Sequence, residues 1–328
     1  MEAGGRELTF AEAMAEALRA CLAADERLVV IGGGFAGLTP AARYFAPLLA
    51  EFPDRFLAPP IAELGIAGIG AGAAMAGLRP IVDLGTGSFA FEAFPAIVNE
   101  AAIAYYTSNG QTAVPVLYHL HSGIRGAGAA QHSHAPHALF WQTPGLQIML
   151  PSAPAEVKGL LRWALLRSRN PTIFVNHYRL FAERGPVPEG DYEIPFGQAR
   201  VVRPGRDVTL IACGVMVPRA LAAAETLAGE GIDAEVVDPR TLVPLDLDTL
   251  LASVRKTGRV VTADETPRSC GVAGELLARV CEAVWDALKA PPRRVAIPDV
   301  SIPFAASQEE YVTPTAARLV EAARAVCR

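Results

Sequence analysis

Short apolar runs alternate with helical stretches along almost the whole chain, and this alternation restricts the fold more than any other feature. The first helix opens with Thr9 and Glu12 at capping-box spacing, and Phe10, Met14, Leu18 and Cys21 follow at helical intervals. A strand over 28–31 runs into Gly32-Gly33-Gly34, and a glycine- and alanine-rich helix follows Glu63 and stops near Gly77, ahead of Pro80. Next come a strand from Ile81, a helix over about 89–105 and a strand over 114–118. A loop rich in glycine and histidine spans about 119–137, followed by a strand over 146–150, a helix over 155–166 and a strand over 172–175. Between about Tyr178 and Pro204, residues Pro186, Pro188, Gly190, Pro195 and Gly197 break the periodicity. Strands over 208–212, 234–237, 260–263 and 295–297 then alternate with helices, the last helix starting at Pro314. Strands joined through helices pair in parallel and carry helices on both faces. The expected fold is α/β in two domains, each a mainly parallel sheet flanked by helices: 1–183, a linker over 184–204, and 205–328.

A chain of 328 residues suits two such domains better than one core. Apolar residues make up 51% and mean hydropathy is +0.27, an excess that a subunit interface would absorb. The net charge of −5 and the scatter of basic residues give no electrostatic reason to expect nucleic acid or a membrane as partner. No run approaches the ~18 uninterrupted apolar residues of a spanning helix, and no secretory signal opens the chain. Cys21, Cys213, Cys270, Cys281 and Cys327 have no paired spacing, which fits buried packing roles in a reducing compartment. A cytoplasmic protein is expected.

Three constellations could carry chemistry. Gly32, Gly34 and Gly37 satisfy G-x-G-x-x-G directly after a strand, the loop that lets a backbone approach a pyrophosphate. A dinucleotide site also needs an acid ending a second strand about 20 residues on. Glu51 and Asp54 lie instead in a stretch that reads as helix and turn, so a tight strand-to-helix turn is the better account of the glycines and the dinucleotide reading is not adopted. His119, His121, His132, His134 and His137 form the second group. His132-x-His134-x-x-His137 resembles a metal cluster, but no Cys, Asp or Glu between 119 and 137 completes it. Acid–base or hydrogen-bonding duty for one histidine, with solvated or packing roles for His121, His134 and His137, is the favoured reading. The third group is the stretch from Pro59 to Leu84, whose glycines allow close approach of another backbone or a cofactor. An acid entering so apolar a stretch must be paired, capping or functional, and Glu63 would also complement the helix dipole.

The third stretch, IAELGIAGIGAGAAMAGLRPI, resembles the hallmark segment of the beta subunits of thiamine diphosphate-dependent 2-oxo acid dehydrogenases. These are the pyruvate, acetoin and branched-chain decarboxylase components. The resemblance continues through LTFAEAMAEAL, VNEAAIAYYTSNG, AAQHSHAPHALFWQTPGLQIMLPSAPAEVKGLL, DPRTLVPLD, GVAGELLARV and DVSIPFA, over nearly the entire chain. It implies a pyrimidine-binding domain followed by a transketolase-type C-terminal domain. Glu63 would accept a hydrogen bond from the aminopyrimidine ring of thiamine diphosphate and favour the imino tautomer that removes the thiazolium proton. Phe89 would pack on the pyrimidine, and Glu92 would belong to the same cofactor site. His132, in the Q-H-S motif, would handle protons during acyl transfer to a lipoyl group. The resemblance also implies an alpha subunit, an α2β2 heterotetramer, a lipoyl-bearing acyltransferase and a small 2-oxo acid substrate. The G-D-G motif and later asparagines that hold Mg²⁺ and the diphosphate have no counterpart here, so these are expected on the partner, with no metal site on this chain.

The chain departs from the family pattern at several positions. Gly32-Gly33-Gly34 stands where G-E-E is usual, His119 takes the place of an arginine, and Asn176 replaces an acid after the 172–175 strand. A potassium site found in some relatives is therefore not carried over. Three other functions stay open: a two-chain carboligase or ketol transferase, a flavin or nicotinamide oxidoreductase using Gly32–Gly37, and a non-catalytic scaffold subunit.

Overall fold

The computed structural model describes residues 6–33 and 42–328. It is α/β throughout and divides into two compact units, 1–122 with 139–196, and 123–138 with 197–328.

In the first unit the strands are β1 (Arg6–Thr9), β2 (Leu28–Ile31), β3 (Phe56–Leu57), β4 (Arg79–Thr86), β5 (Leu117–Ser122), β6 (Gln147–Met149), β7 (Thr172–His177) and β8 (Arg184–Val187). The helices are α1 (Phe10–Ala24), α2 (Ala42–Glu51), α3 (Glu63–Met75), α4 (Ala90–Pro95), α5 (Ala104–Thr107) and α7 (Pro154–Leu166), with a short α6 (His137–Trp141) at the unit boundary. Six strands lie side by side in the order β6-β7-β5-β4-β2-β3, all pairings parallel. The capping box forms as its spacing predicts: Thr9 Oγ1 accepts the Glu12 N–H at 3.2 Å, and Glu12 Oε2 accepts the Thr9 N–H at 2.7 Å. The helix expected over about 89–105 is broken into α4, a π-helical stretch Ala96–Ala101 and α5; Pro95 ends α4.

The second unit has β9 (Arg200–Arg203), β10 (Val208–Ala212), β11 (Ala234–Asp238), β12 (Thr241–Val243), β13 (Val260–Pro267) and β14 (Arg293–Ile297), with α8 (Met216–Ala228), α9 (Leu247–Thr257), α10 (Val272–Val284), α11 (Ala306–Val312) and α12 (Ala316–Cys327). Its sheet runs β14-β13-β10-β11-β9, parallel except for the antiparallel edge strand β9. Asp246 caps α9, and left-handed Gly258 ends it, the usual division of labour between helix termini.

The proline- and glycine-rich stretch after β7 is structured rather than featureless. β8 pairs with β1, Tyr192 donates its hydroxyl to Ala155 O at 2.6 Å, and the Phe196 ring stacks beside Trp163 at 4.4 Å. A buried lysine ties this stretch to α7: Lys158 Nζ donates to Glu16 Oε1 and Gly190 O, each at 2.7 Å, and to Pro188 O at 3.3 Å. Burial raises the Glu16 carboxyl, but the bond and charge of Lys158, with Arg6, hold it below the usual range. Cys21 and Cys213 are buried, and burial pushes the Cys21 thiol up to about 12, so both serve packing. Cys270 is exposed, contrary to the buried role expected of all five thiols.

Lys158→Met keeps the aliphatic volume and removes the ammonium from two carbonyls and a carboxylate. Because Glu16 is partly in water, a loss of about 2 kcal/mol is expected, read as a lower urea midpoint; an unchanged midpoint would show that the buried ammonium contributes nothing.

Candidate functional site

Parallel sheets covered on both faces leave the carboxyl ends of their strands as the place where polar groups gather. In the first unit Glu63 stands there, as the first residue of α3, directly downstream of β3. Two contacts fix the helix it heads. A Cβ on Gly70 would fall 2.2 Å from Val82 Cγ2, so only glycine lets α3 lie this close to β4. Tyr118 of β5, fully buried, donates its hydroxyl to Ala67 O at 3.2 Å. Glu63 itself is half-buried, with its carboxylate in the first turn, where the helix dipole favours negative charge.

The same edge carries Phe89, half-buried at the end of the 3-10 turn Gly87–Phe89 that follows β4. Glu92 lies one turn on, exposed in the first turn of α4. Glu63, Phe89 and Glu92 thus belong to one unit, and the strand order places Glu63 and Phe89 at one edge of one sheet.

His119 and His121, expected at the start of a loop, lie instead inside β5, which runs on to Ser122, and both are buried. The physical reason is a partner far off in sequence. Asp83 of β4 is in register with His119, and its Oδ1 lies 3.2 Å from His119 Nδ1. His119 Nε2 meets Asn176 Oδ1 at 3.1 Å, and the His121 ring stands edge-on to His119 at 4.5 Å. Asn176 likewise sits within β7, not after it. Burial pushes the Asp83 carboxyl upward; the hydrogen bond and charge of His119, with His121 and the Gly85 N–H, outweigh it and hold the carboxyl below its ordinary range. Asp83, His119 and His121 are the three potential metal-ligating side chains that converge among the described residues, their donor atoms all within 4.8 Å. The Asp83–His119–Asn176 contacts make the group a hydrogen-bonded polar core.

Gly32 ends β2 with a φ of +125°, and a Cβ there would meet the Asp83 carbonyl oxygen at 2.3 Å. Gly34 and Gly37 of the glycine motif lie outside the described residues. The stretch after them is α2 and a 3-10 turn over Pro53–Arg55, and Glu51 is engaged by Arg19 at 2.7 Å. No acid ends the short strand Phe56–Leu57, so the ribose-binding half of a dinucleotide site is missing among the described residues.

His132 ends a 3-10 turn, Ala130–His132, and is half-buried. It belongs with 123–138 to the second unit. Burial holds the neighbouring His134 imidazole below its usual range, and His137 is buried with Nε2 3.1 Å from Asp264 Oδ1.

The sequence profile of the transketolase pyrimidine-binding domain matches residues 6–182, and that of the transketolase C-terminal domain matches 197–319. The chain belongs to this family. It is 40% identical to the pyruvate dehydrogenase E1 component subunit beta of Rhizobium meliloti, covering 98% of this chain and 70% of that protein. It is 43% identical to the acetoin:2,6-dichlorophenolindophenol oxidoreductase subunit beta of Cupriavidus necator, covering 89% of this chain and 84% of that one. A solved split-gene transketolase, described as an inactive beta4 tetramer, superposes with a TM-score of 0.77 at 28% identity, covering 99% of both chains. The transketolase-like family depends on thiamine diphosphate, and its pyrimidine-binding domain is the part of the chain that holds Glu63, Phe89 and Glu92. What the residue pattern alone did not reveal is the Asp83–His119–Asn176 core; its one signal is two histidines alternating with Tyr118 and Leu120, as strand residues do.

A carboxyl held below its usual value stabilises the fold above the ordinary carboxylate range and loses that contribution as pH falls through the depressed value. Replacing His119 by leucine leaves Asp83 buried without its main partner, so the carboxyl rises and the loss begins at higher pH. Acid unfolding followed by circular dichroism should shift upward in pH for His119→Leu, and an unshifted curve would show that the pair is not coupled to stability.

Proposed function

We propose that this chain is the beta subunit of a heteromeric thiamine diphosphate-dependent 2-oxo acid dehydrogenase, which decarboxylates a 2-oxo acid and transfers the acyl group to a lipoyl domain. The observation that carries it is Glu63 at the head of α3, on the carboxyl edge of the sheet of a pyrimidine-binding domain. A half-buried carboxyl group and a half-buried aromatic ring, Phe89, on one sheet edge suit an aminopyrimidine, whose ring nitrogen can share a proton with the carboxyl and whose flat face can pack on the ring. Glu63 would hold the proton at that ring nitrogen, Phe89 would orient the ring, and Glu92 would border the site. The cofactor, when bound, supplies an electron sink for the decarboxylation. His132 would give a proton to the lipoyl sulfur released when the lipoyl disulfide opens, the disulfide being the oxidant that is reduced as its other sulfur takes the acyl group.

A second subunit is part of this reading. The outer side of α3 bears Leu64 and Ile69, about half exposed, and Tyr106 of α5 is 88% exposed. A Cβ built on Gly68 or Gly72 would meet nothing within 4 Å, so the same side is open to close approach. A helix apolar on both sides is one that ends up buried. The relatives named as beta subunits fit an alpha partner, and the split-gene transketolase is inactive as beta chains alone. Mg²⁺ and the diphosphate would be held by that partner in an α2β2 assembly. A soluble cytoplasmic setting is consistent with the described residues, where no helix is long and apolar enough to cross a membrane.

A two-chain ketol transferase is the competing reading, favoured by the likeness to the split-gene transketolase. Reconstitution with an alpha subunit separates the two: acyl-lipoyl product supports the dehydrogenase, and ketol transfer without lipoyl sinks it. Glu63→Ala should abolish turnover of the complex, by about 10²-fold or more, with the far-UV spectrum unaltered; retained turnover refutes the role of Glu63.

A further inference from the structure

The segment 123–138 follows β5 in the chain, yet it packs within the second unit, and the way it is fastened there has a consequence for His132. Three acids hold it. The Ile124 N–H donates to Glu265 Oε1 at 2.5 Å, while the Ile124 side chain is buried with Ile297, Ile302 and Val312. The Gly126 and Ala127 N–H groups donate to the two carboxylate oxygens of Glu309, at 3.2 and 3.3 Å. At the far end His137 Nε2 lies 3.1 and 3.2 Å from the oxygens of Asp264. Asp264 and Glu265 are neighbours near the end of β13, and Glu309 is in α11; all three are buried. Glu265 is itself paired with Arg219 at 2.6 Å, and Arg219 also donates to Pro314 O at 2.9 Å. The Gly123 N–H donates to His134 O at 3.3 Å and closes the segment at its base.

The backbone between these anchors is strained. Gly126, Ala127 and Ala129 have φ of 91°, 53° and 51°, left-handed values that cost an alanine about 1–2 kcal/mol. Such conformations persist only where the surroundings over-determine them. Two N–H groups received by one buried carboxylate do that, since charge-assisted bonds are among the strongest available. His132 lies five residues beyond Ala127 in this segment.

We propose that Glu309 is a positioning residue for His132. Its carboxylate fixes the strained turn at 126–129, with Glu265 and Asp264 fastening the two ends, and so sets where the His132 imidazole is presented for acyl transfer. The proposal rests on the role given to His132 above. Glu309 touches neither cofactor nor substrate in this scheme; it acts through the backbone.

The test uses the reconstituted complex with Glu309→Ala, the near-isosteric Glu309→Gln and the charge-conserving Glu309→Asp. Hydrogen exchange of the 123–138 amides should accelerate about tenfold in Glu309→Ala, as expected for loss of a charge-assisted anchor, and less in Glu309→Gln. The ratio of lipoyl-domain acylation to 2,6-dichlorophenolindophenol reduction, both driven by the same 2-oxo acid, should fall about tenfold or more and recover in part in Glu309→Asp. Unchanged exchange in both Glu309→Ala and Glu309→Gln overturns the anchor whatever the activity. Faster exchange with an unchanged ratio overturns the positioning role. In that case His132→Ala tells which idea failed: if it lowers the ratio, Glu309 does not position His132, and if it does not, the reading of His132 itself is wrong.

Discussion

The buried acids Asp83, Asp264 and Glu265 answer to one constraint, that a carboxylate taken out of water in an α/β core must meet a donor toward the carboxyl end of its strand. Parallel strands covered on both faces offer no polar face, and their own backbone groups are spent on the ladder. What remains is the last turn of each strand and the helix that follows it. Asp83 near the end of β4, and Asp264 with Glu265 near the end of β13, occupy equivalent places in two separate sheets. Each is buried and each has a partner: His119, His137, and Arg219 with the Ile124 N–H. Removing one member of such a pair is destabilising because the other is left charged in a medium that solvates it poorly. Glu63 differs in standing half-buried at a helix start, where the dipole supports the charge and an incoming group can still reach it.

This contrast explains how much could be read from the residues. Glu63 could be singled out as a candidate because an acid entering a run of glycine and alanine must be paired, capping or functional. The alternation of strands and helices was legible because its periods are local. The end of β5 was not: histidine after Tyr118 reads as the start of a polar loop, and the acid and amide that allow it to stay inside lie 36 residues back and 57 residues on. Strands end where buried polar groups run out of partners, and partners of that separation leave no trace in a window of ten residues. The same holds for the stretch after β7. Its prolines announce broken periodicity, but the bonds of Lys158 that fasten it come from α7.

The glycines of α3 show a residue type serving two sides of one helix for different reasons. Gly70 is required inward, where Val82 leaves no room for a Cβ, whereas a Cβ on Gly68 or Gly72 would meet none of the described residues within 4 Å. Intrinsic propensity argues against a helix so rich in glycine, at about 1 kcal/mol for each. The inner side offsets part of that through buried Ile66, with Ala67, Ala71 and Ala74 beside Gly70. In the proposed assembly, cover over the exposed Leu64 and Ile69 would add to that. Packing of α3 against the proposed partner would also place Glu63, at its head, beside that chain, which would link the carboxylate and the partner subunit in function.

A similar argument bears on the 123–138 segment. Its residues fall inside the stretch matched by the pyrimidine-binding profile, yet its backbone and side chains are held by β13 and α11 of the C-terminal unit. The chain leaves the first unit after Ser122 and re-enters it at Leu139, so the segment is tethered covalently at both ends to one unit and non-covalently to the other. Alanine at 127 and 129, where glycine would be free of strain, restricts the unfolded chain more than glycine would. It also makes the turn dependent on Glu309, because without the two accepted N–H groups an alanine backbone relaxes toward negative φ. The alanines convert a flexible tether into one with a defined bound form, and the histidine that follows inherits its position from that form.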